Sequence, residues 1–224
     1  MKRRCMVIDI EKCENCNNCF LACKDEHYGN EWPGYSVSQP LHGQRWMNIL
    51  KKEQGEFPYI KVAYLPVPCL HCYVPSCLEE DSYKSHKIYK REDGIVIIDP
   101  EKARGDKELA QRCPHGAIWW NKKRQVAQKC TMCAHLLDDG WKSPRCVQAC
   151  PTGALTFQNL EDDDLDSFII SNRLENLPDS LSRRQSHKTV QTDKTGITSP
   201  VRTQATCNFA SFEVCFIEPC LSFF

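Results

Sequence analysis

Apolar residues along this 224-residue chain fall in short bursts rather than long periodic stretches, so the pattern predicts brief elements joined by loops. Met6 to Ile10 is an apolar run broken only by Asp9, reads as a strand, and leads into a cysteine-rich loop, after which Cys19 to His27 reads as a short helix. Between Tyr89 and Ile98, an Asp93-Gly94 turn separates a mixed segment from the β-branched run Ile95 to Ile98, which predicts a hairpin. Asp99-Pro100 ends that strand, and a helix is expected from Pro100 to Gln111. A helical turn is expected from Ala134 to Asp139, closed by Gly140. The apolar runs at 94–98 and 168–170 are far shorter than the roughly 20 residues of a spanning helix, so direct membrane insertion is not expected. Past Phe157 the pattern fades: 160–166 is mostly acidic and 171–206 is rich in Ser, Thr, Arg, Gln and Lys. The chain thus divides into a folded region, 1–157, and a polar tail, 158–224, expected to be disordered or loosely docked.

Composition changes the picture in two ways. With 29 basic and 29 acidic residues there is no basic stripe of the kind that nucleic acid selects, and no nucleic-acid partner is expected. Sixteen cysteines in a chain poor in long apolar segments point to an inorganic core. The basic start Lys2-Arg3-Arg4 has no long apolar stretch behind it, as a secretory leader would require, so a disulfide framework is disfavoured and a cytoplasmic location expected.

Twelve of the cysteines lie in clustered runs. Cys13, Cys16, Cys19 and Cys23 have the spacing that wraps a cubane iron–sulfur cluster, the first three serving one cluster and the fourth, a helical turn on and pointing away, serving another. The remaining runs are Cys69, Cys72 and Cys77, then Cys113 before Pro114, then Cys130 and Cys133, and Cys146 with Cys150 before Pro151. Cys113-Pro-His-Gly-Ala-Ile and Cys150-Pro-Thr-Gly-Ala-Leu repeat each other, each a ligand followed by a helix-stopping proline and a turn glycine. Exchange of fourth ligands closes the account as three [4Fe-4S] clusters: Cys13, Cys16, Cys19 with Cys150; Cys130, Cys133, Cys146 with Cys23; and Cys69, Cys72, Cys77 with Cys113. A fourth cluster would need a further cysteine soon after Cys77 and a run before Cys113, and both are absent together.

The fold class expected is α+β, with tandem ferredoxin-like cluster-binding modules of short strands, helices and long loops. A zinc-binding structural module is the alternative, although three thiols in overlapping pairs suit a cubane better than tetrahedral zinc. His71 could suggest a Rieske centre, but that needs two histidine ligands, so His71 is expected to be a partly exposed neighbour. The other histidines show no ligand pairing, and most are expected to be solvated or backbone-bonded. Trp119 and Trp120 are read as core packing rather than as an interface. Cys5, Cys207, Cys215 and Cys220 are left as free thiols. No catalytic residue is identified: neither a Ser/His/Asp set nor a phosphate-binding glycine loop is evident.

The four-motif order resembles the iron–sulfur subunits of the dimethyl sulfoxide reductase family of molybdopterin enzymes, which normally hold four cubane clusters. Beyond the cysteines, segments 30–35, 45–49, 91–96 and 128–139 are similar to the small subunits of the family's aromatic transhydroxylases, which also lack one cluster. The resemblance covers about residues 5 to 157 and implies a heterodimer. In it, a large catalytic subunit holds molybdenum on two molybdopterin guanine dinucleotides, while the small subunit is a non-catalytic electron-transfer chain. Electron-transfer subunits of a respiratory reductase or a formate dehydrogenase are the alternative within the same family.

Overall fold

Residues 2–72, 74–78 and 86–161, together with the backbone of 174–175 and 214–217, are described in the computed structural model. The first strand, β1 (Lys2–Asp9), buries four consecutive residues, Cys5, Met6, Val7 and Ile8. That is the signature of a strand covered on both faces rather than one facing water on one side. It is central in a sheet of order β8-β1-β10-β9. On one side β8 (Leu155–Glu161) runs antiparallel in the register Ile8↔Leu155 to Lys2↔Glu161. On the other, β10 (Val214–Ile217) runs parallel from Met6↔Val214 to Asp9↔Ile217 and pairs in turn with β9 (Leu174–Glu175). Strand β1 starts four residues earlier than its apolar run, because its basic start is accommodated: Arg4 pairs with Asp93 at 3.1 Å and Asp138 at 3.5 Å.

The expected boundary at 157 falls inside β8, which continues to Glu161. The stretches 174–175 and 214–217, in the tail expected to be disordered or loosely docked, form strands of the same sheet. Most of the expected tail, with Cys207 and Cys220, lies outside the described residues.

Helix α1 (Asn18–His27) buries Cys19, Cys23 and His27, residues four apart and therefore on one stripe. It packs against α4 (Arg145–Gln148), which carries Cys146. The predicted hairpin is present as β4 (Ile88–Lys90) and β5 (Val96–Ile98), paired from Ile88↔Ile98, with Gly94 in the left-handed region at φ 88°. A second hairpin, β2 (Asn48–Gln54) with β3 (Lys61–Val67), was not expected. Its exposed residues break the alternation that would have revealed it, and its tip carries the exposed Phe57 and Tyr59. A third hairpin joins β6 (Trp119–Asn121) to β7 (Val126–Gln128).

The helix expected from Pro100 to Gln111 is reduced to α2 (Leu109–Arg112). Asp99 does begin a turn, its carboxylate accepting from the N–H groups of Glu101 at 3.0 Å and Lys102 at 3.1 Å. Gly105 then adopts φ 80° and donates its N–H to the Gln125 carbonyl at 2.8 Å, which diverts the chain. The expected helical turn is α3 (Ala134–Asp138), with Gly140 beyond it at φ 89° donating to the Leu137 carbonyl. Short strands, short helices and long loops make this a mixed α and β fold. Among the described residues no helix is long and apolar enough to cross a membrane.

Candidate metal centres

The Cys-x-x-Cys pair that opens each of three runs makes the same local turn. The second intervening residue lies in the left-handed region in these three: Asn15 at φ 56°, His71 at 47° and Met132 at 53°. Such conformations are uncommon outside glycine, and their recurrence at one position in three loops marks a common loop design. The two Cys-Pro turns match as well. Gly116 at φ 62° and Gly153 at φ 67° donate their N–H groups to the carbonyls of Cys113 and Cys150 at 3.1 and 3.4 Å.

Long-range pairing then brings the loops together. Ile8 stands opposite Leu155, so the loop that follows β1 and the turn that precedes β8 lie at the same end of the ladder. The Asp9 N–H extends it by donating to the Ala154 carbonyl at 2.8 Å. As a result Cys13 lies within electrostatic range of Cys16 and Cys150, and Cys19 within range of Cys13, Cys16 and Cys150. Cys23 interacts with Cys130 and Cys133, and Cys146 interacts with Cys133, Cys130 and Cys23. Cys72 interacts with Cys69, Cys77 and Cys113. These interactions link Cys13, Cys16 and Cys19 with Cys150, Cys23 with Cys130, Cys133 and Cys146, and Cys72 with Cys69, Cys77 and Cys113, three groups drawn from distant runs.

Within α1, Cys19 and Cys23 do not point to opposite sides. They occupy one buried stripe, displaced by a turn along the axis, and face different groups. The groups also neighbour one another: Cys146 interacts with Cys19, and Cys130 with Cys69. The thirteen described cysteines, including buried Cys5, are unbridged. Among the described residues no three His, Cys, Asp or Glu side chains converge on a position for one ion.

Burial is the main cause of the thiol shifts. It pushes Cys19 and Cys130 up to about 11 and Cys72, Cys77 and Cys133 up to about 12, and raises Cys23 and Cys146 well above the ordinary thiol value. Backbone N–H groups work in the opposite direction, from Ala117 to Cys113 Sγ at 3.4 Å and from Met132 to Cys130 Sγ at 3.3 Å. Without a bound cation these thiols stay protonated, so filling the sites with iron must release protons.

The third group bounds a pocket lined by Cys69, Cys72, Cys77 and Cys113 with His71 and Lys129. His71 is fully buried, not partly exposed, and its Nδ1 accepts the Val96 N–H at 3.0 Å. Lys129 is 2% exposed, and its Nζ donates to the carbonyls of Val96 and Cys130, neither of them a carboxylate. Its positive charge lowers the thiol pKa of Cys77, Cys113 and Cys130. A buried cation beside four thiols is the setting that a negatively charged thiolate cluster would balance. The chemistry of this lining fits a cubane.

Two further histidines, of a set most of which was expected to be solvated or backbone-bonded, are buried. His27 lies 4.6 Å from the Trp46 ring, and burial lowers its pKa to about 3. His135 stacks on Trp32 at 4.2 Å and pairs with Glu26 at 3.0 Å. Their spacing to the cysteines carried no signal, since each is buried by contacts made across the fold. Trp119 and Trp120 are partly buried and pack against the main core, in line with the packing reading.

Comparison with known proteins points to [4Fe-4S] chemistry. A family model described as a 4Fe-4S dicluster domain matches residues 60–160. The chain is 51% identical over 164 residues to the pyrogallol hydroxytransferase small subunit of Pelobacter acidigallici, covering 72% of this chain and 58% of that protein. It is 33% identical over 180 residues to a sulfite dehydrogenase subunit of Allochromatium vinosum, covering 75% of this chain and 74% of the relative. A component of the anaerobic dimethyl sulfoxide reductase of Escherichia coli is 33% identical over 158 residues, covering 69% of this chain and 73% of the relative.

Proposed function

This chain belongs to the iron–sulfur electron-transfer subunits of the dimethyl sulfoxide reductase family, and we propose that it holds three [4Fe-4S] clusters in a heterodimeric, transhydroxylase-type complex. The observation that supports the cluster number is that electrostatic interactions link cysteines of distant runs mostly within three sets of four. In this reading Cys13, Cys16, Cys19 and Cys150 hold one cluster, Cys23, Cys130, Cys133 and Cys146 the second, and Cys69, Cys72, Cys77 and Cys113 the third. Bound there, cubanes supply one-electron redox chemistry. The chain's own residues set the conditions: burial excludes water, backbone N–H groups donate to sulfur, and Lys129 offers a positive charge between the second and third groups.

The electrostatic interactions of Cys146 with Cys19 and of Cys130 with Cys69 support an order in which the second group stands between the first and third. That order suits a relay. The partner in this reading is a large catalytic subunit with molybdenum on two molybdopterin guanine dinucleotides, in the cytoplasm. Its transhydroxylase type is suggested by the 51% identity to the hydroxytransferase small subunit. The cluster region, residues 1–157, is read as tandem ferredoxin-like modules, supported by the matched turns at Gly116 and Gly153.

Iron and acid-labile sulfide on anaerobically purified protein test this reading. About 12 of each per chain are expected from three cubanes. About 8 would remove the third site, and near zero with bound zinc would overturn the electron-transfer role. Molybdenum in a large subunit that co-purifies, with transhydroxylation of pyrogallol, tests the partner; reduction of a different acceptor would move the assignment elsewhere in the family.

A further inference from the structure

His71 holds, in the third loop, the position that Asn15 and Met132 hold in the other two. Its left-handed backbone is shared with them, but its side chain differs in carrying two ring nitrogens. One of these is accounted for: Nδ1 accepts the Val96 N–H at 3.0 Å. A ring nitrogen that accepts a hydrogen bond carries no proton, so the proton of the imidazole sits on Nε2. Nε2 is buried and has no hydrogen-bond partner among the described residues. A buried N–H without an acceptor is costly, and proteins seldom leave one unmet. The ring lines the pocket bounded by Cys69, Cys72, Cys77 and Cys113.

We propose that His71 donates its Nε2–H to the cluster held by these four cysteines and thereby raises that cluster's reduction potential. The inference rests on the reading of those cysteines as one cluster site. A donor aimed at sulfur stabilises the extra negative charge of the reduced state more than it stabilises the oxidised state. Val96 organises the device from both of its backbone groups. Its N–H fixes the His71 tautomer, while its carbonyl accepts from Lys129, whose charge acts on Cys77 and Cys113. His71 is a positioning residue here and not a ligand. Neither other loop has an imidazole at this position, so the third cluster is singled out for this bond.

The test uses the intact complex, purified anaerobically, with iron counted first. In protein labelled with ¹⁵N-histidine, the reduced third cluster should show a ¹⁵N hyperfine coupling that disappears in His71→Gln and persists in His115→Gln. A redox titration followed by electron paramagnetic resonance should show the third cluster harder to reduce in His71→Met. We expect about a ten-fold fall in its reduced-to-oxidised ratio at the wild-type midpoint, ~59 mV for a one-electron couple, with the other two clusters unmoved. Methionine is chosen because Met132 already occupies the matching left-handed position. His71→Gln retains a donor and an acceptor and should recover part of the shift. Full iron with no ¹⁵N coupling, or an unmoved midpoint in His71→Met, overturns the inference alone. A wild-type deficit of about four iron per chain would instead remove the cluster and the inference with it. Should His71→Met lose iron, the coupling in the labelled wild type still decides.

Discussion

At the residue scale, buried imidazoles make stability depend on pH. The pKa of His27 is lowered by burial to about 3, from an ordinary value near 6.5. The unfolded chain therefore takes up a proton that the folded chain refuses, and folding is penalised as pH falls below about 6.5. The stabilisation is complete above that value and shrinks toward pH 3. Between pH 7.5 and 5.5, His27 alone should cost the holoprotein about 1 kcal/mol. In His27→Phe that share of the pH dependence should vanish, and denaturant midpoints of wild type and variant at the two pH values check it. A variant as pH-sensitive as the wild type would show that His27 is not held neutral. A different single-residue constraint acts at Gly153, whose φ of 67° is open to glycine and strained for alanine although no atom lies within 4 Å of an added Cβ. Gly153→Ala should cost about 1–2 kcal/mol from backbone strain alone and leave iron content unchanged. Iron loss in that variant would mean that the turn is needed to seat Cys150 and not only to relieve the chain.

At the element scale, the β1–β8 ladder does the long-range work. Its register sets the Cys13 loop beside the Cys150 turn, residues far apart in the chain. Ile8 is fully buried at the end of that ladder. Ile8→Ala should destabilise the protein by about 2–5 kcal/mol, the range for truncating a buried aliphatic side chain. Because that end of the ladder adjoins the first and not the third cysteine group, iron should be lost first from the first group, followed by its electron paramagnetic resonance signal. Uniform loss from all three sites would show the fold responding as a single unit. The elements also mark where local sequence signals work. Asp93-Gly94 identified the β4–β5 hairpin because glycine meets the turn's demand for positive φ, a wholly local requirement. The expected helix at 100–111 failed because Gly105 bonds to Gln125, a contact no local pattern contains. The β2–β3 hairpin escaped notice because most of its first strand is at least partly exposed, which erases the alternation.

For the whole molecule, the proposed clusters occupy the place of a larger apolar core. The main core includes Cys19, Cys23, Cys69, Cys113, Cys130 and Cys146 among its buried residues. Because sites assembled from such distant residues do not exist in the unfolded chain, cluster binding becomes folding free energy. Removing iron anaerobically with a chelator should abolish cooperative unfolding, seen as loss of the sigmoidal transition in circular dichroism. A metal-free protein melting cooperatively at the holo temperature would refute this.

The twelve cysteines, their spacings and the two Cys-Pro-x-Gly turns were legible in the sequence because loop geometry around such sites is set within a few residues. That three groups would be needed could also be reasoned from the count. Their physical assembly depends on strand register and on α1 packing against α4, which pair residues distant in the chain. The same holds for His71: its position between Cys69 and Cys72 is written in the sequence, but its burial comes from the fold and its tautomer is set by the N–H of Val96, a residue that only the tertiary fold brings to it.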